Sequence, residues 1–223
     1  MSGFSYPTWK PDFYPKGTKQ SAMLAFYATQ FNAVEINMTF RRRVDEKTLD
    51  AWCEQTPDGF RFTMKANAGI THFFRLRNVG DRVNEFVDRG RRLGPRFGVV
   101  LFQTHPNLKF EADVLEDFCA CLPAGPRYTF EPRHDSFAND EALSILRAHN
   151  VALCCNDEVH DFEGYVPTAD FSYFRFHREK RYTKKELQER GARVRGSDAY
   201  VFFRHTDDVA CVKPALQFRE LTA

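Results

Sequence analysis

The segment FGVVLFQTHPNLKFEADVLEDFCACLPAGPRYTFEPR, residues 97–133, decides the fold of this chain. It begins with an apolar run over 97–103, continues with an amphipathic stretch over 111–122 and ends with a second strand-like run over 128–133. Pro123 follows the amphipathic stretch, at a place where a helix cannot continue. A strand, a helix and a strand in about thirty residues predict one unit of a parallel sheet.

The same alternation runs along the rest of the chain, and no Asn-Gly or Asp-Gly hairpin turn joins two strands. The predicted strands lie at 33–40, 60–65, 97–103, 128–133, 151–155, 172–177 and 199–204. The predicted helices lie at 19–30, 45–54, 81–93, 111–122, 140–149, 183–193 and 211–221. This series predicts an α/β fold, a TIM (β/α)8-type barrel in a single domain over 1–223, rather than an open doubly wound sheet.

The start of the chain is the weak part of this pattern. Only Met1, Ser2, Gly3 and Phe4 precede an aromatic loop over residues 5–14. The first strand of the barrel is therefore expected to be short or missing.

Composition places the chain among globular proteins, with 43% apolar, 15% aromatic and 28% charged residues. The sequence contains no run of about eighteen apolar residues, so it predicts no membrane span. The start MSGFSYPTWK lacks the features of a signal peptide. The six cysteines have no C-x-x-C spacing, so they are interpreted as small apolar residues in a reducing compartment. Together these features predict a cytoplasmic protein with no membrane partner.

The net charge is +2, and the charged residues are unevenly distributed along the chain. The segment 175–195 holds nine Lys/Arg and three Glu, a local excess of six positive charges, which leaves −4 for the rest of the chain. Such a segment attracts phosphate or nucleic acid. The alternative, a solvated helix face, is slightly favoured.

In a TIM barrel the reacting groups lie at the carboxyl ends of the strands. The segment FEPRHDSF places Glu131, Arg133 and His134 at such an end, and strand alternation puts Glu131 and Arg133 on one face. Glu131 and His134 are predicted as an acid–base pair, and Arg133 as a substrate-binding residue. The alternative is a structural ion pair of Glu131 with an inward arginine.

Five further polar residues lie at or near strand ends of the predicted barrel. Arg175 and His177 share one face of the strand YFRFH and suit an anionic group, although Arg175 could instead hold Glu131 in place. Glu35 and Asn37 alternate in the same way in VEINMTF, and Lys65 ends the next strand. Lys65 could act in Schiff-base or proton-transfer chemistry, but an ion pair with Glu35 is the favoured interpretation.

The remaining candidates lie in loops at the same rim. His72 and Gln103 are predicted to contact substrate, and Arg41 follows a strand directly. The aromatic residues of loops 5–14 and 73–74 could stack on a base or sugar, or could form a plug over the barrel. A divalent metal is not favoured, because arginines at the same rim repel a cation, and the cofactor is left unassigned.

These motifs together resemble the YecE-like TIM-barrel family, the domain of unknown function 72, over nearly the whole chain. The resemblance implies a TIM barrel but brings no established activity. It rests on YPTWKPDFYP at 6–15, VEINMTFRR at 34–42, FTMKANAGITH at 62–72, LGP at 93–95, LFQTHP at 101–106, FEPRHDSF at 130–137 and YFRFH at 173–177.

The chain departs from the family pattern at several points. Ser2, Gly3 and Phe4 stand where the family has a full strand like IGTSGW. An aromatic hydroxyl of the pattern N-S-T-F-Y-R is replaced by Arg41, and a glycine after the YFRFH motif by Arg178. The late F-N-N-D-like segment reads Phe203, Arg204, His205, Thr206 and Asp207. These changes predict a diverged ligand or the loss of activity.

The leading hypothesis from the sequence is an enzyme of hydrolase or lyase type that acts on a phosphate-bearing ligand at the carboxyl-terminal rim. One alternative is a nucleic-acid-binding module that uses the basic segment. Another is a catalytically inert barrel that binds a partner. The partner is therefore expected to be a small anion or a nucleic acid, and the oligomeric state is left open.

Overall fold

The computed structural model describes residues 1–159 and 162–222, and in this part of the chain seven parallel strands form one sheet in the order of the sequence. The strands are β1 (Ala33–Ile36), β2 (Arg61–Lys65), β3 (Phe97–Gln103), β4 (Arg127–Glu131), β5 (Val151–Asn156), β6 (Ser172–Phe176) and β7 (Ala199–Phe203). The helices are α1 (Met23–Gln30), α2 (Glu46–Glu54), α3 (Gly80–Gly90), α4 (Ala112–Ala120), α5 (Asp140–Ala148), α6 (Lys184–Val194) and α7 (Val212–Thr222). The predicted TIM-type barrel is confirmed.

The first residues of the chain occupy the eighth position of the barrel without forming a regular strand. The backbone N–H of Ser2 donates to the carbonyl of Phe203 in β7 at 3.0 Å, and the N–H of Glu35 in β1 donates to the carbonyl of Met1 at 3.1 Å. The expected short or missing first strand is thus confirmed, and Met1 and Ser2 link the two edge strands.

Two strands end two or more residues earlier than predicted, and both endings shape the rim. β1 stops at Ile36 because residues 38–40 form a 3-10 turn, in which the Thr39 hydroxyl bonds the carbonyls of Ile36 (2.9 Å) and Lys65 (2.6 Å). β4 stops at Glu131 because Pro132 has no N–H for the sheet. The rim residues after these strands therefore point in directions that strand alternation does not give.

Inside the barrel an apolar layer closes the space beneath the rim. Leu101, Cys154, Tyr173 and Phe202 pack together there and are buried. The other face of β6 contacts the helices, as Phe176 shows by lying 5.7 Å from the ring of Phe218 in α7. The predicted alternation along β6 is confirmed, and it directs Tyr173 and Arg175 into the barrel.

Candidate functional site

Three charged side chains from opposite walls of the barrel meet directly above the apolar layer. Arg175 in β6 donates to both oxygens of Glu35 in β1, with Nη2 at 2.8 Å from Oε1 and Nε at 3.1 Å from Oε2. Its Nη1 donates to Glu131 Oε2 in β4 at 2.7 Å. Glu35 and Glu131 have no exposed surface and Arg175 is 4% exposed. We call Glu35, Arg175 and Glu131 the buried triad.

Further donors complete the hydrogen bonds of both carboxylates. Tyr173 donates its hydroxyl to Glu35 Oε2 at 2.7 Å, and Asn37 Nδ2 lies 3.1 Å from Glu35 Oε1. Asn156 Nδ2 donates to Glu131 Oε1 at 2.8 Å. A buried charge is tolerated when such partners replace its water.

Burial by itself raises the pKa of both carboxyl groups, but their partners reverse its effect. The Arg175 guanidinium and the hydrogen bond from Tyr173 hold the pKa of Glu35 well below its usual range. Arg175 and the hydrogen bond from Asn156 likewise lower the pKa of Glu131. Both groups are carboxylates at neutral pH, so the buried triad has a net charge of −1.

The predicted ion pair between Glu35 and Lys65 is wrong. Lys65 Nζ donates instead to Gln103 Oε1 at 2.8 Å and lies 4.5 Å from the centre of the Phe40 ring. The planar guanidinium of Arg175 matches a carboxylate with two parallel hydrogen bonds, which an ammonium group cannot do. Arg175 therefore displaces the amine from Glu35.

Lys65 consequently occupies a partly buried position without a carboxylate partner among the described residues. Burial, followed by the charge of Arg175, lowers the pKa of Lys65 to about 8. A substantial fraction of this amine is neutral near physiological pH.

A cavity of about 450 Å³ opens above Lys65 at the carboxyl ends of the strands, and we call it the mouth cavity. The described residues contribute four cationic side chains and one carboxylate to its lining, and Arg41 has no ion pair with any of them. Arg204 reaches its acidic neighbours only at 3.5 and 3.8 Å. The described residues that line the mouth cavity are Asn37, Phe40, Arg41, Lys65, Glu158, Arg175, His177, Arg204 and His205.

Two polar atoms of this lining are buried without a hydrogen-bond partner among the described residues. They are Asn37 Oδ1 and His205 Nδ1. Because an unsatisfied buried polar atom is costly, these atoms suit a hydrogen-bonding group of a bound ligand or a water molecule.

His177 enters the cavity wall as a neutral ring. Burial, followed by the charge of Arg175, lowers the pKa of His177 well below its usual value. Its Nε2 lies 2.7 Å from the Ser2 hydroxyl, and its backbone N–H donates to Asp157 Oδ1 at 2.7 Å. His177 therefore offers a hydrogen bond rather than a positive charge.

The predicted acid–base pair of Glu131 and His134 is not formed. His134 Nδ1 bonds Ser136 at the start of the turn Asp135–Phe137, whereas both oxygens of Glu131 bond Arg175 and Asn156. Pro132 interrupts β4, so His134 lies at the start of that turn rather than on the barrel wall. His134 does not line the mouth cavity.

The other predicted site residues lie around the same rim. Arg133 Nη1 is 3.6 Å from Glu131 Oε1. The His72 ring lies against Phe40 at 4.8 Å and against His105 at 5.3 Å between centroids. Gln103 joins the two halves of the site, because it accepts from Lys65 and is the register partner of Glu131 on the neighbouring strand.

Several residues of the site have strand-end positions in the sequence but receive no predicted role. Tyr173, Asn156, Arg204 and His205 all lie at or near strand ends, so their position was the signal that could have identified them. Ser2 offered no such signal, because its segment is too short to be recognised as a strand.

The aromatic loop over residues 5–14 forms a plug of buried rings beside the loop after β7, and burial excludes stacking of its largest rings on a ligand. Trp9 and Tyr14 have no exposed surface, and Trp9 Nε1 donates to the carbonyl of Thr206 at 2.9 Å. Tyr6 stacks on His205 with 5.1 Å between ring centres. The plug thus supports the loop after β7, which lines the mouth cavity.

A larger hollow of about 1260 Å³ lies at the opposite end of the barrel, where the strands begin. Its arginines are occupied within the protein: Arg127 pairs with Asp198 at 2.6 Å, and Arg61 donates to backbone carbonyls. In TIM barrels this face serves stability. The mouth cavity is therefore the better candidate site.

Much of the basic segment 175–195 is neutralised internally. Arg190 pairs with Asp157 at 3.4 Å, Arg178 with Glu186 at 2.7 Å and Arg193 with Glu163 at 2.9 Å. The segment does not present its whole positive excess to solvent.

Within residues 1–159 and 162–222, no group of three His, Cys, Asp or Glu side chains could hold a metal ion. No disulfide joins the six cysteines, of which three are buried and three partly buried. No helix in the same part of the chain is long and apolar enough to cross a membrane.

Comparison with known sequences identifies relatives of this chain. A family model described as "Protein of unknown function DUF72" matches residues 1–223. UPF0759 protein YecE of Escherichia coli (strain K12) is 35% identical over 133 residues, 59% of this chain and 48% of that protein. UPF0759 protein YunF of Bacillus subtilis (strain 168) is 27% identical over 167 residues, 70% of this chain and 59% of that protein. The matches thus cover about half the length of these curated relatives.

Solved structures show the same architecture. A DUF72 family protein from Thermotoga maritima has a TM-score of 0.86 at 26% identity, over 99% of this chain and 96% of that one. A DUF72 family protein from Enterococcus faecalis has a TM-score of 0.82 at 17% identity, over 99% and 93% of the two chains, which shows the fold alone.

Proposed function

This chain belongs to the DUF72 family, whose description assigns no activity, and on that premise we propose a function from its own site. We propose that the mouth cavity binds a small phosphate-bearing ligand and that the protein is an enzyme of lyase or hydrolase type. The observation behind the proposal is the convergence of Arg41, Arg204 and Lys65 on one cavity, in which Glu158 is the single carboxylate among the described lining residues.

The outer and inner parts of the cavity suit different parts of such a ligand. Arg41 is exposed and Arg204 is partly exposed, so their guanidinium groups can reach a phosphate that enters from solvent. Lys65 and His177 lie deeper and would face the body of the ligand. The buried triad would act as a positioning framework beneath them, because Glu131 has no exposed surface.

We expect Arg41→Met to weaken binding of glycerol 3-phosphate about tenfold or more, since a hydrogen bond to a charged group contributes about 1.5–3 kcal/mol. Arg42→Met is the matched control, because it removes the same charge from the next residue, and Arg42 does not line the mouth cavity. Calorimetric titration measures both affinities. An equal loss in the two variants would reject the assignment of Arg41 to the site.

A thermal-shift screen tests the ligand class as a whole. Sugar phosphates, nucleotides and inorganic phosphate are compared at matched concentration, because a ligand at one hundred times its Kd stabilises by about 2.7 kcal/mol. Stabilisation by phosphate esters supports the proposal. The absence of any shift favours the catalytically inert barrel instead.

A second candidate function is binding of single-stranded nucleic acid, and an exposed aromatic pair favours it. Phe73 is 81% exposed and Phe74 is 44% exposed, and the Arg82 guanidinium lies 4.1 Å from the centre of the Phe74 ring. Exposed rings beside arginines suit stacked bases and phosphates.

For this candidate we expect affinity for a short oligonucleotide to fall linearly with salt on logarithmic axes. Phe73→Ala should weaken binding by about 1–3 kcal/mol, whereas Val166→Ala, at another exposed apolar residue, should leave it unchanged. Fluorescence anisotropy measures both effects. An affinity that does not change with salt concentration, or a Phe73→Ala variant with the affinity of the parent, would reject this candidate.

A further inference from the structure

Lys65 is the one lysine of the mouth cavity, and its environment differs from that of a surface lysine. Its side chain is partly buried, and its amine lies 4.5 Å from the centre of the Phe40 ring. Among the described residues no carboxylate lies within ion-pair distance of Nζ, because Arg175 occupies both nearby glutamates. The amine is therefore held at a cavity wall without a permanent counter-ion.

Gln103 fixes the position of this amine without fixing its protonation state. Its amide oxygen Oε1 accepts a hydrogen bond from Lys65 Nζ at 2.8 Å. An amide oxygen accepts a hydrogen bond from an ammonium group and from a neutral amine alike. The free lone pair of a neutral Lys65 amine can then face the cavity.

We infer that Lys65 is a nucleophile that forms a Schiff base with a phosphate-bearing aldehyde or ketone in the mouth cavity. This inference rests on the proposed function and specifies its substrate class. The neutral amine adds to the carbonyl carbon and gives a carbinolamine. Loss of water, which takes the carbonyl oxygen and the two amine hydrogens, leaves a carbon–nitrogen double bond.

The lowered pKa of Lys65, about 8, supports this geometry because only the neutral amine adds to a carbonyl. An exposed lysine has a pKa of about 10.4. The difference makes the neutral fraction at neutral pH on the order of a hundredfold larger for Lys65. Arg41 and Arg204 remain available at the outer part of the cavity for the phosphate.

The experiment uses pyridoxal 5′-phosphate as the probe, because it joins an aldehyde and a phosphate in one molecule. The full chain is incubated with the probe at pH 7, the imine is reduced with cyanoborohydride, and the labelled lysines are mapped by peptide mass spectrometry. Lys185, 85% exposed, is the internal control. We expect label to appear on Lys65 at least tenfold faster than on Lys185.

Two further arms separate this inference from the proposed function. Pyridoxal lacks the phosphate, and glycerol 3-phosphate lacks the carbonyl. Slower labelling of Lys65 by pyridoxal than by pyridoxal 5′-phosphate, together with protection by glycerol 3-phosphate, supports both the Lys65 nucleophile and the phosphate site. Equal and unprotected labelling of Lys65 by the two aldehydes supports the nucleophile but overturns the phosphate site. Stabilisation by glycerol 3-phosphate without preferential labelling of Lys65 overturns the nucleophile and leaves the phosphate site standing.

Lys65→Arg keeps a positive charge but cannot form an imine under these conditions. It should remain folded, as shown by circular dichroism, while the cavity label is lost. If label on the cavity-lining peptides persists in Lys65→Arg, the assignment of the nucleophile is overturned.

Discussion

Arg175→Met should lower the free energy of unfolding at pH 7 by about 3–5 kcal/mol, because it leaves two buried carboxylates without their shared cation. Both Glu35 and Glu131 have no exposed surface, so water cannot replace the three hydrogen bonds that Arg175 donates. Urea denaturation followed by circular dichroism measures the loss. Arg181→Met, at an exposed arginine, is the matched control and should change stability by less than about 0.5 kcal/mol.

The stability of Arg175→Met should depend on pH with the opposite sign to that of the parent. In the parent, the pKa values of Glu35 and Glu131 are lowered below their unfolded value of about 4.3. Their contribution to stability is therefore complete above that pH and is lost as the pH falls through the folded values. Without Arg175, burial raises both pKa values, so protonation stabilises the fold and the variant gains stability as the pH falls from 7 towards 5.

A compensated variant separates loss of charge balance from loss of packing. Arg175→Met combined with Glu35→Gln and Glu131→Gln removes all three charges, and it should recover most of the stability at pH 7. If the single variant is as stable as the parent at pH 7, or if its stability rises with pH between 5 and 7, the buried triad does not have the energetic role assigned to it.

The barrel could be predicted from the sequence because each strand and helix has its own local signal. β3 is a continuous apolar run, and α4 follows it with a helical period and ends before Pro123. Local signals do not define where a strand ends when a tertiary contact decides it. β1 stops at Ile36 because the Thr39 hydroxyl bonds the carbonyl of Lys65 in the neighbouring strand.

The members of the buried triad were predictable, and so was the pairing of Arg175 with Glu131, but the pairing of Arg175 with Glu35 was not. Position at strand ends identified Glu35, Glu131 and Arg175, and alternation along β6 directed Arg175 inward. Which cation reaches which carboxylate depends on distances across the barrel, and a linear sequence contains none of them. Lys65 was therefore assigned to the adjacent Glu35, although Arg175, from another wall, is the group that reaches it.

Trp9→Ala should destabilise the protein by about 3–5 kcal/mol, because it empties a large volume in a closely packed stack. Trp9 has no exposed surface and lies 4.6 Å from Tyr6, 5.8 Å from Phe13 and 6.2 Å from Tyr14 between ring centres. A void lined by rigid rings collapses poorly, so little of the lost contact is recovered. Urea denaturation measures this loss on the same scale as that of Arg175→Met.

The effect should extend to the mouth cavity, because the indole N–H is bonded to the carbonyl of Thr206 in the loop that also bears Arg204 and His205. Trp9→Phe is the matched variant. It keeps an aromatic ring but leaves that carbonyl without its donor, so it should cost about 1–3 kcal/mol. If the loop after β7 forms part of the phosphate site, affinity for glycerol 3-phosphate should fall in both variants while each is still folded. A folded Trp9→Phe protein with undiminished affinity would show that the plug supports the barrel alone and that its contact with Thr206 does not position the loop for a ligand.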